Sequence, residues 1–367
     1  MVEFFKKWPL DILWIEINTL FFYTLQYMIR YIFYFFTLSI FTLNALEPIF
    51  PPALKTGDTI AIVAPASPAK EDDEAIAAGI RLLIARGYKV RLARNVREAD
   101  GYFAGNDKKR AEMFMEAWTD PETKGIWCYR GGYGCSRILD LIDYSFIKKH
   151  PKVLIGMSDI TALHAAINKK TGLVTFLGPN MDHVYVSPTT RRLTYNETEL
   201  WNIVSNSKND QYLYKNPSNF PLKGHPIQTI HPGVARGRLT GGTLSIITSL
   251  IGTPWEIDTK GKILMLEEVD EKPYRIDRML SQLKQAGHLD HLAGVILCSW
   301  KKCLGNDNRS DSLTKVFKHY FEKAPYPVLL GFPSGHIPSQ TTVPLNVLAE
   351  LDAGKKSLRL LESPVLR

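Results

Sequence analysis

Val153-Leu154-Ile155-Gly156-Met157-Ser158-Asp159-Ile160-Thr161-Ala162-Leu163 is the stretch from which the fold is read. Val153–Ile155 is a short aliphatic run with the look of a buried strand. Gly156 opens a tight turn, and residues 159–169 continue with helical spacing. Residues 173–177 then read as the next strand. The same alternation extends towards the N-terminus. Residues 59–64 form a buried strand stopped by Pro65, residues 72–86 a helix stopped by Gly87, and residues 88–92 a strand. A helix over 108–118 and a strand over 125–129 follow. That strand runs into Gly131, Gly132 and Gly134, and residues 136–142 are helical. Strands alternating with helices imply βαβ units and a parallel sheet. The chain is therefore α/β, with its first α/β domain over residues 46–180.

Residues 181–230 are rich in Asn, Pro, Thr and Tyr and read as a connecting segment, with a short helix near residues 197–204. A second domain spans residues 231–367. Its strands are expected at 236–240, 263–266, 294–298 and 328–330, and its helices at 242–251, 274–286 and 313–321.

The composition of the 367 residues, 45% hydrophobic and 22% charged, is that of a globular protein. It excludes a disordered chain, a collagen-like fibre and a small disulfide scaffold. The net charge of +8 favours anionic partners in general. No block of five like charges and no aromatic-plus-basic motif accompanies it, so nucleic acid is not an expected partner. The four cysteines, Cys128, Cys135, Cys298 and Cys303, form no CxxC pair, and they read as buried free thiols.

Residues 1–45 have a composition of their own, aromatic and poor in charge. Arg30 divides their uncharged stretch into residues 17–29 and 31–46. A spanning helix needs about 20 apolar residues, and a mid-membrane Arg costs roughly 2.5–3.5 kcal/mol. A signal peptide fits better: a start at Met28, Arg30 as the basic region, residues 31–43 as the apolar core and Ala45 before the cut. The expectation is a signal peptide or, failing cleavage, a membrane anchor. A periplasmic or cell-envelope location follows, with membrane contact through residues 1–45; the alternative is cytoplasmic.

Two turns could carry chemistry. In Arg130-Gly131-Gly132-Tyr133-Gly134, glycine lets the backbone approach closely and point N–H groups at an anion, although a plain tight turn fits equally. In Gly156-Met157-Ser158-Asp159, a serine on a strand-to-helix turn projects from the carboxyl end of the sheet, as a nucleophile elbow does. The competing reading is that Ser158 or Asp159 is an ordinary helix N-cap. A serine nucleophile needs a base and a group that orients the base. Of nine histidines, His336 lies in the Gly/Pro-rich loop Gly331-Phe332-Pro333-Ser334-Gly335-His336, where functional residues concentrate. His164 is expected to pack. The carboxylate is Glu267 or Glu268, at the end of a strand.

These segments together resemble the LD-carboxypeptidases, a family of serine peptidases that also includes the microcin-immunity hydrolases. The resemblance rests on residues 61–68, 129–134, 154–163, 237–245, 266–280 and 331–336, in the family's order. It implies a Rossmann-like parallel-sheet domain followed by a mixed, barrel-like α/β domain. It also implies a triad of Ser158, Glu267 and His336, with Glu268 the fallback acid, and an oxyanion hole from the backbone at Asp159 and Gly132. The implied reaction is release of the terminal D-alanine from a murein tetrapeptide, with no cofactor and no metal. Arg130 or Arg275 would hold the substrate's terminal carboxylate, because a bidentate guanidinium suits it. A homodimer is implied as well. The rivals are a hydrolase of peptidyl or aminoacyl adenylates and a non-catalytic murein- or nucleotide-binding protein. The sequence departs from the family pattern at Thr243, where Asn is usual, and at Leu177 and Asn180.

Overall fold

A computed structural model describes residues 24, 26–28, 46–69, 74–182, 190–205, 212–214, 227–303 and 313–367. The chain divides into two units, Met1–Glu47 and Pro48–Arg367. In the first, the described residues 24 and 26–28 are helical and exposed. The expected signal peptide or anchor over residues 1–45 otherwise lies outside the described residues. The envelope location drawn from it is corrected: among the described residues, no helix is long and apolar enough to cross a membrane. Arg30 already denies the segment one uninterrupted apolar run of the required length.

In the second unit, the described strands are β1 (Thr59–Val63), β2 (Lys89–Leu92), β3 (Thr123–Cys128), β4 (Val153–Gly156), β5 (Thr175–Leu177), β6 (Leu213–Tyr214) and β7 (Gln228–His231). They continue with β8 (Val234–Thr243), β9 (Ile263–Val269), β10 (Gly294–Lys301), β11 (Val328–Leu330), β12 (Val343–Leu345), β13 (Leu348–Asp352) and β14 (Ser357–Leu360). The helices are α1 (Glu74–Ala85), α2 (Asp107–Thr119), α3 (Tyr144–Lys149), α4 (Thr161–Thr171), α5 (Thr190–Val204), α6 (Leu244–Ser249), α7 (Pro273–Gln285) and α8 (Leu313–Phe321).

The first sheet has the order β12-β5-β4-β3-β1-β2. It is parallel except for β12, which returns late in the chain to pair antiparallel with β5. Helices cover both faces of such a sheet, so its inner strands are apolar throughout, and every residue of β1 and β4 is buried. At the edge, β2 alternates exposed and half-buried residues. The strand order reverses between β1 and β3, where open α/β sheets form a crevice at their carboxyl ends. The loops after β1, β3 and β4 meet there.

The second sheet is mixed, with the order β6-β14-β13-β8-β9-β10-β11-β7. Strands β8, β9, β10 and β11 run parallel, and antiparallel strands flank them. The arrangement is the mixed α/β architecture expected. Helix α4, which leaves the first sheet, packs against β8 and α6 of the second. The carboxyl ends of β4, β8 and β9 are thereby tied to one another.

Candidate active site

Ser158 lies just past β4, at φ +64°. A non-glycine residue in this left-handed region is strained, and such strain persists where the surroundings impose it. The N-cap reading is overturned. The 3-10 turn Ser158–Ile160 and helix α4 are preceded by Met157 and Ile160, and neither cap position makes a side-chain cap bond. Asp159 is buried, and its carboxylate accepts from the Cys135 N–H at 2.7 Å, which fastens the turn after β3 to the turn after β4. Burial raises the Asp159 pKa.

The glycine turn fits against Ser158. A Cβ built on Gly131 would stand 2.7 Å from Ser158 Cβ, 2.9 Å from Ser158 Oγ and 3.3 Å from the Asp159 nitrogen. Only glycine gives that approach. Gly132 follows at φ +112°. Arg110, fully buried on α2, donates to the carbonyls of Pro65 and Gly134 and pairs with Asp107. It holds the loops after β1 and β3 together, a role its place in an ordinary-looking helix does not announce.

Consecutive residues of a strand face opposite sides, so Glu267 and Glu268 have different surroundings. Glu267 is buried, and its Oε2 lies 2.7 Å from His336 Nδ1 and accepts from the His336 N–H at 3.3 Å. A Cβ on Gly335 would reach within 2.6 Å of the same oxygen, so the chain before His336 can reach it only as glycine. Glu268 instead accepts from the backbone N–H groups of Ser245, at the start of α6, and of Val269, the last residue of β9. His336 is buried. Burial alone would lower its pKa, but the Glu267 carboxylate outweighs that and holds it above its ordinary value. With Nδ1–H donating to the carboxylate, Nε2 is the ring nitrogen that can act as the base.

Thr243 links these groups. It stands opposite Glu267 in the β8–β9 ladder, and its hydroxyl donates to Glu267 Oε1. Its backbone N–H donates to Thr161 Oγ1 at 3.1 Å, in the first turn of the helix that Ser158 precedes. The sequence marks Thr243 only as a departure from the family pattern.

Arg130 is half-buried beside Gly131. Its guanidinium lies 3.6 Å from Asp182 and 3.5 Å from the Pro68 carbonyl. Arg275 is on the exposed first turn of α7, where it meets Glu271 and Tyr274. His164 is buried against the Gly156 carbonyl, and burial lowers its pKa to about 4. The four cysteines are free and buried, as expected. Among the described residues, no group of three or more His, Cys, Asp or Glu is placed to hold a metal.

Residues 60–178 match the LD-carboxypeptidase N-terminal domain, and residues 236–351 match the LD-carboxypeptidase C-terminal domain. The chain belongs to the LD-carboxypeptidase family. It is 38% identical over 315 residues to a probable murein peptide carboxypeptidase of Bacillus subtilis, covering 84% of this chain and 92% of the relative. It is 29% identical to a murein tetrapeptide carboxypeptidase of Pseudomonas aeruginosa, covering 81% and 94%. A solved structure of the microcin C7 self-immunity protein MccF, in complex with aspartyl sulfamoyl adenosine, superposes with a TM-score of 0.80. There the identity is 26%, with 87% of this chain and 100% of that one covered. Membership makes this LD-carboxypeptidase a serine-type peptidase, a hydrolase.

Proposed function

We propose that this enzyme removes the terminal D-alanine from murein tetrapeptides, cutting the bond that follows the L-centre of the third residue. The observation that carries the reading is the buried pair of Glu267 and His336 at 2.7 Å, in one chain with a serine strained at φ +64° and pressed against a glycine turn. In this reading His336 Nε2 takes the proton of Ser158 Oγ, which attacks the scissile carbonyl. Glu267 fixes the tautomer and stabilises the imidazolium. The backbone N–H groups at Asp159 and Gly132 receive the developing oxyanion, at about 3–4 kcal/mol per donor. His336 then protonates the leaving amine of D-alanine, and water hydrolyses the acyl-enzyme.

Arg130 is the better placed of the two arginines for the substrate's terminal carboxylate, since it adjoins Gly131 and is already drawn to the Asp182 carboxylate. Arg275 is the second candidate. The family resemblance also supports a homodimer. Sedimentation at twice the 41.6 kDa chain mass is expected, and a monomer would refute that part alone. The function is tested by mass spectrometry of a murein tetrapeptide incubated with the full chain. Release of one alanine and a tripeptide is expected; an unchanged tetrapeptide would overturn the substrate assignment in favour of the conjugate-hydrolase reading.

A further inference from the structure

A cavity lies against the loop that carries His336, and none of the proposed triad lines it. It encloses about 230 Å3 and is bounded by Tyr195 and Glu199 of α5, Tyr212 and Tyr214 around β6, and Phe332 and Thr341 of the 331–341 loop. Tyr195 and Glu199 are four residues apart and so share one face of α5. Tyr212 packs on Tyr214 with ring centroids 4.8 Å apart, and Tyr214 packs on Phe332 at 5.8 Å, both edge to face. Four aromatic rings and one carboxylate thus border a single small space.

The tyrosine hydroxyls of the cage are already hydrogen-bonded. Tyr214 donates to the Thr342 carbonyl at 2.8 Å, Tyr195 shares a hydrogen bond with Thr341 Oγ1 at 2.8 Å, and Tyr212 donates to Glu199 Oε1 at 2.9 Å. These bonds fix the rings that line the cavity. Glu199 accepts a hydrogen bond from Tyr212, and burial raises its pKa. A carboxylate held this way is stabilised by a positive charge brought to it.

We propose that this cavity is an aromatic cage that binds a small organic ammonium group. The ring faces supply cation–π attraction and Glu199 supplies the counter-charge. A neutral guest of the same shape would leave the carboxylate desolvated and without a counter-charge from the guest. A metal ion would find one carboxylate and otherwise hydroxyls already engaged. The size suits a head group, not a whole drug-sized ligand.

The cage also touches the loop that positions His336. Asn196, beside Tyr195 on α5, donates to the Pro338 carbonyl at 3.0 Å and accepts from the Gln340 N–H at 2.8 Å. The Thr341 N–H donates to the Pro333 carbonyl at 2.7 Å. An ammonium seated between α5 and Phe332 therefore sits between a helix and the loop that this helix holds.

The test is a titration of the full chain with choline and, separately, with its uncharged isostere 3,3-dimethyl-1-butanol, followed by calorimetry. Choline is expected to bind saturably and about tenfold or more tighter than the isostere. Glu199→Gln keeps the volume and the Tyr212 partner, and is expected to reduce the preference for charge severalfold. Tyr212→Leu, half-buried just before β6, removes one ring and serves if the first variant fails to fold; it is expected to weaken choline severalfold. Ser158→Ala is expected to bind choline as the parent does, which separates this site from the proposed catalytic one. Equal affinity for choline and the isostere, or no saturable choline binding, would overturn the proposal.

Discussion

Replacing Gly131 with alanine puts a methyl carbon against the proposed nucleophile. That carbon would lie 2.7 Å from Ser158 Cβ and 2.9 Å from Ser158 Oγ. Ordinary carbon–carbon contact begins near 3.5 Å, so roughly 0.8 Å must be given up between the two turns. Neither side yields easily. Ser158 is held at φ +64° between a buried strand and α4, while the glycine turn is fastened by the Asp159–Cys135 and Arg110–Gly134 bonds. Overpacking of this kind costs about 1–3 kcal/mol of stability. Its effect on the reaction is larger, because a displacement near 1 Å costs about 100-fold in rate, close to 2.7 kcal/mol of barrier. The assay is steady-state release of D-alanine from murein tetrapeptide, with thermal unfolding measured alongside. The expected result is kcat down about 100-fold while the protein remains folded at the assay temperature. A folded Gly131→Ala enzyme with kcat within twofold of the parent would refute the placement of this turn against the nucleophile.

Three further outcomes follow from the same geometry. Because Glu267 holds the His336 pKa above its ordinary value, kcat/KM should rise with pH through a midpoint above about 6.5, as His336 loses its proton. Glu267→Gln removes the main charge that opposes burial and should move that limb to lower pH; an unmoved limb counts against the pair. The linked stability has the same sign: the raised folded pKa adds stability that is fully present below about pH 6.5 and is lost as pH rises through the folded value. Thr243→Val removes the hydroxyl that donates to buried Glu267 and should cost about 1.5–3 kcal/mol in denaturant unfolding, with a loss below 0.5 kcal/mol contradicting the role given to that bond. The four buried thiols, whose pKa values burial raises, should resist a thiol-specific disulfide reagent in the native enzyme and react in guanidinium; rapid native labelling would contradict their burial.

Much of the fold is legible because its central strands are short aliphatic runs and its helices carry apolar residues at helical spacing. The parallel strands β1, β4, β9, β10 and β11 announce themselves in this way. Strand β12 does not: three residues long, with Pro344 in its middle, it is placed only by its pairing with β5 across more than 160 residues of chain. Ser158 is legible from its strand-to-helix turn, yet the local pattern of a serine and an aspartate before a helix equally describes an N-cap. What separates the two readings is a backbone angle and the distant Cys135 N–H, neither of which a local sequence window contains. Glu267 and Glu268 are adjacent, and composition cannot say which faces His336; the alternation of β9 and the position of Gly335 do. The roles of Thr243, Thr161 and Arg110 are hidden for a related reason. Each depends on a partner between 24 and 82 residues away, and each residue type reads as ordinary where it stands. The tyrosine cage is likewise assembled from three separate segments of the chain.

The central claim is that Ser158 is the nucleophile of a peptidase that takes one alanine from a murein tetrapeptide. The most direct measurement is a paired digest of that tetrapeptide by the full-length enzyme and by its Ser158→Ala variant, both shown to be folded, with the products weighed by mass spectrometry. The account predicts a tripeptide and free alanine from the parent and intact tetrapeptide from the variant. Equal release of alanine by both would contradict it.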